Sequence, residues 1–336
     1  MTLRVALAGA GMVSRHHLIA WRRCAGAKVV AIADPNADAR NARAQEFDVP
    51  ACYRDVASML NAGGVDALDV ATPLATHAAL VGLAIQHNIP VLCQKPLAAT
   101  VDEARVIAAE AQANGVRLMV HENWRFRPHY LTIKAWIAAG GIGRPRAFQL
   151  ATLGSGLLSR AGEIPPGLVR QPFLKTMPRL LILELLIHHF DTLGFLFGPL
   201  SLEAAQVATL SPYVSGEDTA TLALAGEGIA GSVFASMAAA GLPFRGSDRL
   251  EVLGEAGRVC LSGTTLTLDA AEPARQDIDH EADYQAAYDN TVAHFASALR
   301  DGTPFATSPE VHFRALELVE AAYSRAGAPP PPRVSR

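Results

Sequence analysis

Leu3-Arg4-Val5-Ala6-Leu7-Ala8-Gly9-Ala10-Gly11-Met12-Val13-Ser14 reads as a short apolar strand running into a glycine turn. In a G-x-G-x-x-G turn the first glycine permits the tight bend and the second lets the backbone approach a pyrophosphate. The third permits close packing of helix on strand. Ser14 holds the third position here, a small residue that weakens the pattern without forbidding it. In a chain rich in Ala and Gly the glycines alone carry little. The spacing carries more: Asp34 ends the second apolar run, 20 residues beyond Ser14, where a carboxylate can bind the adenosine ribose hydroxyls. The competing reading takes Asp34-Pro35-Asn36 as a plain turn into a helix N-cap. A carboxylate at that place repels a 2′-phosphate, and Pro35, Asn36 and Ala37 bring no arginine, so NAD is favoured over NADP.

A second feature leaves a strand end in the same way. Lys95-Pro96 follows the apolar run Ile89-Pro90-Val91-Leu92-Cys93-Gln94, the fourth strand expected from the sequence. Ligands of open α/β sheets sit at the carboxyl edge of the strands, which is where Lys95 would stand. Hydride transfer from an alcohol carbon needs a base for the hydroxyl proton, and a lysine serves if burial or a cationic cofactor favours its neutral form. Taken alone, Lys95 is as readily a solvated loop lysine.

The whole chain of 336 residues suits two domains, and 50% hydrophobic against 18% charged residues suits packed cores. Its 29 basic and 32 acidic residues leave a net charge of −3 with no basic stripe, which argues against nucleic-acid binding. Cys24, Cys52, Cys93 and Cys260 are scattered without metal-ligand or disulfide spacing, as expected in a reducing cytoplasm. Residues 3–13 resemble the core of a signal peptide, but the strand-turn reading explains their glycines better. Residues 219–242 are interrupted by Glu227 and by glycines, and read as strands rather than a membrane span.

Up to residue 122, strands expected at Leu3–Ala8, Val29–Ala33, Ala67–Ala71, Val91–Cys93 and Arg117–Val120 alternate with helical stretches, which implies a doubly wound parallel sheet. Thr100-Val101-Asp102-Glu103 matches a capping box. Beyond a helix near 129–139, strand-like stretches dominate with short Gly-rich connections, which suits an α+β domain built on a large, open, mostly antiparallel sheet. The expected division is 1–122, 123–326, and a Pro-rich tail at 327–336.

Within 123–326, Glu184-Leu185-Leu186-Ile187-His188-His189-Phe190-Asp191 lies in a helix-like stretch, Leu180–Phe197. If it is a regular helix, residues 184, 188 and 191 share a face. A polar stripe on an otherwise apolar helix needs a wet pocket or paired partners. Adjacent histidines point to different faces, so no metal site is expected. His129 and Tyr130 read as packing residues.

The ordered motifs resemble the Gfo/Idh/MocA oxidoreductases from Leu3 to about Ala326. They run through Gly9-Ala10-Gly11, Asp34, Ala71-Thr72-Pro73 with His77, and Cys93-Gln94-Lys95-Pro96. Asn123-Trp124-Arg125-Phe126, the 184/188/191 stripe before Phe197-Gly198, and Leu250-Glu251-Val252-Leu253-Gly254-Glu255-Ala256-Gly257 follow. The stretches 121–126 and 184–192 look most like a branch that includes D-apiose dehydrogenases. By this resemblance the chain is an NAD(P)-dependent oxidoreductase acting on a CH–OH group of a sugar, lactol or polyol. Lys95 contacts the reacting hydroxyl, His188 is the active-site histidine, and Glu184 stands where aspartate is usual. The implied cofactor set is Gly9, Gly11, Met12, Val13, Asp34, Thr72, Pro73, His77, Gln94 and Lys95. Asn123, Arg125, Arg170, Arg179 and Asp191 are the residues expected to meet the substrate. Gln94 departs from the glutamate that usually precedes the lysine, and Leu180-Leu181-Ile182-Leu183 replaces a glycine-rich run.

A cytoplasmic protein without nucleic-acid or membrane partners follows as the expectation, forming a homodimer or homotetramer through the C-terminal sheet. The rival reading is a non-catalytic sensor that keeps the fold and binds dinucleotide.

Overall fold

The computed structural model describes residues 2–159 and 162–327, so the expected tail lies outside the described residues except for Gly327. In the first unit β1 (Leu3–Ala8), α1 (Ser14–Arg23), β2 (Ala27–Ala33), α2 (Ala37–Phe47), β3 (Ala51–Tyr53) and α3 (Val56–Asn61) are followed by a second run. That run is β4 (Ala67–Val70), α4 (His77–Gln86), β5 (Val91–Gln94), α5 (Val101–Ala113) and β6 (Leu118–His121). The six strands pair in parallel in the order β3-β2-β1-β4-β5-β6. This is the doubly wound sheet expected, with its switch point between β1 and β4.

Because helices cover both faces, the central strands run apolar rather than alternating, with Asp69 of β4 as the buried exception. Val5 to Ala8 and Val91 to Cys93 are wholly buried. Local chemistry starts the helices where polar caps stand. Asn36 accepts from the Ala39 N–H, Asp55 from the Ser58 N–H, and Thr100 from the Glu103 N–H. Each such cap is worth about 1 kcal/mol. One strand of this unit was missed from sequence: β3 has three residues, and it makes Lys95 follow the fifth strand rather than the fourth.

The second unit opens with α6 (Pro128–Ala138), β7 (Pro145–Leu153), α7 (Pro166–Arg170) and α8 (Ile187–Phe197). Seven strands follow: β8 (Leu200–Ala208), β9 (Thr219–Gly226), β10 (Ile229–Ser236), β11 (Ser247–Gly254), β12 (Arg258–Ser262), β13 (Thr265–Asp269) and β14 (Ala274–Asp277). Together with β7 they form an eight-stranded sheet in the order β14-β13-β12-β11-β7-β10-β9-β8. Every pair is antiparallel except β7 with β10. Leu222, Val233, Leu250, Val252 and Leu266 are buried on one face.

The chain ends with α9 (His280–Asp301) and α10 (Pro309–Arg325). Here the structure departs from the expected division. Residues 281–313 cluster with the chain up to Arg127, while 128–280 and residues 314–327 form the second unit. The reason is hydrophobic: Tyr288, Val292, Phe295, Ala298 and Phe305 share one core with Val5, Trp21, Leu92 and Met119. Trp21 meets Phe295 edge-on at 6.2 Å between ring centroids, and Phe295 stacks on Phe305 at 5.3 Å. The Val120 N–H donates to the Thr307 carbonyl at 2.9 Å, so the returning segment also joins the sheet edge.

Candidate functional site

In the first unit β2, β1, β4 and β5 are neighbours, so Asp34, Gly9, Thr72 and Lys95 leave one sheet edge in that order. Three inter-strand steps separate the first from the last, roughly 14 Å. Gly9 has φ +100°, and a Cβ there would stand 2.4 Å from the Ala71 carbonyl oxygen. Only glycine fits, because the turn must pass directly over the end of β4. Gly11 is different: among the described residues, nothing lies within 4 Å of where its Cβ would stand. The Ser14 hydroxyl turns inward to donate to the Gly11 carbonyl at 2.6 Å, and Ser14 is fully buried. It thus replaces the third glycine without intruding on the cradle.

Helix α1 begins at this turn with no side-chain cap and no acidic residue in its first turn. Its first N–H groups and the positive end of its dipole suit an anion. Met12 is 41% exposed on the same loop, and Val13 is half-buried. Asp34 is held from two sides: Ala10 N–H donates to Oδ2 and Asn36 N–H to Oδ1, both at 2.7 Å. A carboxylate accepts about four hydrogen bonds, so capacity remains for ribose hydroxyls. The open space at Gly11, the uncapped helix and this anchored carboxylate fit a dinucleotide. One feature runs against the sequence argument on the 2′-phosphate. Arg40, not adjacent in sequence, folds back to donate to the Asp34 carbonyl at 2.7 Å, and Arg43 reaches the Ser14 hydroxyl at 3.2 Å.

The β5 end brings the next motifs together. Lys95-Pro96 is a cis peptide, and Lys95 is half-buried. His77 links this turn to the preceding one: Nδ1 lies 2.9 Å from the Pro96 carbonyl oxygen and Nε2 3.0 Å from that of Thr72. Burial pushes the His77 imidazole below its ordinary pKa, against the opposing pull of the Thr72 and Pro96 carbonyls. Thr72 and Thr76 share a hydroxyl hydrogen bond of 2.6 Å, and Pro73 is exposed. Gln94 points inward instead of toward the edge. Its amide nitrogen donates to His17 Nε2 at 2.8 Å and to His121 Nδ1 at 3.2 Å, and its oxygen accepts from the Lys95 N–H at 3.3 Å.

Asn123 and Arg125 follow β6 and are both buried. Arg125 donates to the Ala306 carbonyl at 3.0 Å, so part of its guanidinium is committed to the returning segment.

In the second unit the expected regular helix over Leu180–Phe197 is corrected. Leu181–Leu186 is a π-helical segment, and α8 starts only at Ile187. Glu184 therefore sits on a wider turn than His188 and Asp191, and the i, i+4, i+7 phase does not run unbroken through all three. Such π segments are frequent at functional sites. Glu217 holds its start, accepting from the Leu180 and Ile182 N–H groups and from the Tyr323 hydroxyl. His188 and Asp191 are buried, and Glu184 is half-buried. The neighbouring histidine is structural: His189 Nε2 meets Asp248 at 2.9 Å, and the Tyr130 hydroxyl donates to the other Asp248 oxygen at 2.7 Å. Arg179 lies over the Tyr323 ring at 4.4 Å, and burial lowers its pKa against the pull of Tyr323, Glu320 and Glu217. Arg170 is exposed at the end of α7. Among the described residues no group of three or more His, Cys, Asp or Glu could hold a metal ion, and no helix is long and apolar enough to cross a membrane.

His17 and Asp69 escaped the sequence reading. Both are fully buried and paired at 2.8 Å, and Trp21 Nε1 donates to the same carboxylate oxygen at 2.7 Å. The available signal was a lone aspartate in the apolar run Ala67-Leu68-Asp69-Val70-Ala71, costly to bury without partners.

The parallel sheet, glycine turn and strand-end aspartate define a dinucleotide-binding fold. Residues 3–122 match the profile of the oxidoreductase family with NAD-binding Rossmann fold, and residues 130–260 match the GFO/IDH/MocA C-terminal domain. The chain belongs to the Gfo/Idh/MocA oxidoreductase family. It is 35% identical over 335 residues to a D-apiose dehydrogenase of Paraburkholderia graminis, covering 95% of this chain and 86% of that one. To a D-apiose dehydrogenase of Rhizobium rhizogenes it is 28% identical, covering 96% and 95%. A crystal structure of an oxidoreductase from Agrobacterium radiobacter, in complex with NAD+, L-tartaric acid and magnesium, superposes with a TM-score of 0.89. That protein is 27% identical, and 97% of each chain is covered.

Proposed function

We propose that the protein oxidises a hydroxyl of a sugar, lactol or polyol with NAD as hydride acceptor. The bound nicotinamide supplies the acceptor for the hydride leaving the carbon, and the hydroxyl proton is left to the protein's own groups. Lys95 is assigned the hydrogen bond to the reacting oxygen, and Lys95 or His188 takes its proton. Glu184 orients or charge-balances His188, while Asn123, Arg125 and Asp191 hydrogen-bond the other hydroxyls. Arg170 and Arg179 are given no substrate contact, since one is exposed and the other is packed on Tyr323.

The observation that carries this reading is the alignment of Asp34, the Gly9 turn, Thr72 and Lys95 along one edge of the first unit's sheet. NAD is preferred over NADP because the Asp34 carboxylate is fixed by two backbone N–H groups where a 2′-phosphate would lie. The test is nicotinamide absorbance with a panel of pentoses, lactols and inositols, beside NAD binding by calorimetry. Reduction with one member, lost in Lys95→Ala while NAD affinity stays within about twofold, supports the reading. Tight NAD binding without reduction by any sugar would favour the sensor, and wild-type kcat in Lys95→Ala would overturn the role of Lys95.

We also infer a homodimer or homotetramer through the second unit's sheet. Phe234 is 43% exposed between Ala151 and Thr221, on the face opposite Val233 and Leu250. Light scattering at several concentrations tests this, and a strict monomer overturns it.

A further inference from the structure

Beneath Lys95 lies a buried polar chain that the proposed chemistry does not use. It runs from Asp69 on β4 through His17 on α1 to Gln94 at the end of β5, and on to His121 at the end of β6. His17, Asp69 and His121 are all fully buried, and the two imidazoles stack at 4.2 Å with 30° between their planes. Tyr288 of α9 closes the side, its ring 5.4 Å from that of His17 and 5.2 Å from that of His121.

Donor and acceptor rules fix the protons. The Lys95 N–H can only donate, so the Gln94 oxygen must face it and the amide nitrogen must face the rings. The opposite amide orientation would set two donors against each other. An amide nitrogen is itself only a donor. His17 Nε2 and His121 Nδ1 must therefore both be bare lone pairs, and His17 keeps its proton on Nδ1 toward Asp69. A neutral His121 with a bare Nδ1 then carries its proton on Nε2, an atom that is itself buried. Protonating either ring would place an N–H against the Gln94 N–H and break the chain. The other titratable groups around it are Asp69 on β4, Cys93 and Lys95 beside Gln94, His77 of α4 next to the Lys95-Pro96 turn, Glu122 after His121, and Tyr288 on α9.

We propose that Gln94 is a positioning residue that holds the Lys95 backbone through two neutral histidines, so that the side chain beside Lys95 is an uncharged amide. This rests on the reading of Lys95 as the residue that meets the reacting hydroxyl. A glutamate at 94 would act differently. Its carboxylate would accept from a protonated His17 or His121, so the cluster would take up a proton and place a titrating group beside Lys95. The glutamine and the neutral imidazoles therefore belong together.

Histidine-selective 15N labelling tests this without turnover, since two-bond 1H–15N correlations distinguish each neutral tautomer from imidazolium. His17→Gln and His121→Gln assign the signals. The expected result is the Nδ1–H tautomer for His17 and the Nε2–H tautomer for His121 at about pH 7.5. In Gln94→Glu at least one ring becomes imidazolium at the same pH, and the pH of half-maximal kcat/KM moves upward by about one unit. Imidazolium at either position in the wild-type protein, or the opposite tautomer, overturns the proposal. So does an unshifted pH profile in a folded Gln94→Glu variant that turns over. Full turnover in Lys95→Ala would overturn the role of Lys95 alone, because the ring tautomers are read independently of it.

Discussion

His77 stands between two turns, its Nδ1 2.9 Å from the Pro96 carbonyl oxygen. Its Nε2 lies 3.0 Å from the Thr72 carbonyl oxygen. A neutral imidazole has one N–H, so it donates to only one of these carbonyls at a time. Burial nevertheless holds the ring below its ordinary pKa, and burial followed by the charge of Arg125 does the same for His294.

Stability should therefore fall on mild acidification. In the unfolded chain both histidines take up protons near pH ~6.5, while in the folded protein they do so only at lower pH. The unfolded state binds more protons in that window. The contribution is complete above about pH 6.5 and declines as pH falls toward the folded values, by up to ~1.4 kcal/mol per pH unit for buried His77 and by less for half-buried His294, which water screens. Thermal melts between about pH 5 and 8 should show this slope, and His77→Gln should flatten it. An equal slope in the variant would refute the assignment.

Gly9 and Gly11 should separate folding from cofactor binding. Gly9→Ala forces a side chain into left-handed backbone against the Ala71 carbonyl, and should cost more than about 2 kcal/mol. Gly11→Ala meets nothing within 4 Å among the described residues beyond its chain neighbours and should leave Tm unchanged. It should still weaken NAD at least ~10-fold, because its methyl group enters the cradle. Differential scanning fluorimetry and calorimetric titration read the two effects.

Replacing Asp34 should change cofactor choice. Asp34→Asn keeps an acceptor for the Ala10 N–H, so Tm should fall by no more than about 1 kcal/mol equivalent. NAD affinity should fall ~10-fold, and the NADP-to-NAD ratio of kcat/KM should rise because Arg40 and Arg43 remain nearby. An unchanged ratio would show that the Asp34 charge does not select the cofactor.

The adjacent histidines of α8 should behave oppositely. His189→Ala removes the imidazole hydrogen bond from the buried Asp248 carboxylate, and should cost about 1–3 kcal/mol in a urea melt. His188→Asn should reduce kcat about 10²-fold or more with a smaller loss of stability. Reversed effects would exchange the roles of the two.

Much of the architecture is readable from residues alone because burial on both faces of a parallel sheet leaves uninterrupted apolar runs such as Leu3–Ala8. The misses have physical reasons. β3 is three residues long, and β14, Ala274-Arg275-Gln276-Asp277, is a polar edge strand with no buried residue. The π segment is invisible because Leu181-Ile182-Leu183-Glu184-Leu185-Leu186 is apolar at nearly every position, so no period stands out. At the candidate site the glycines, Asp34 and Lys95 announce themselves through backbone needs and strand-end positions. Gln94 shows only as a substitution; its partners His17 and His121 lie 77 and 27 residues away. No local pattern can reveal that pairing.

The first unit is made of two stretches far apart in the chain, with Phe295 and Phe305 completing the core around Trp21. During synthesis its sheet can form early, but the apolar face over Trp21 stays uncovered until about 150 further residues have left the ribosome. A fragment ending near Arg127 should therefore be a chaperone client rather than a free-standing cofactor domain. In engineering, this chain has to be cut or grafted as a whole, since a fusion point between residues 127 and 281 would separate the sheet from its own covering helix.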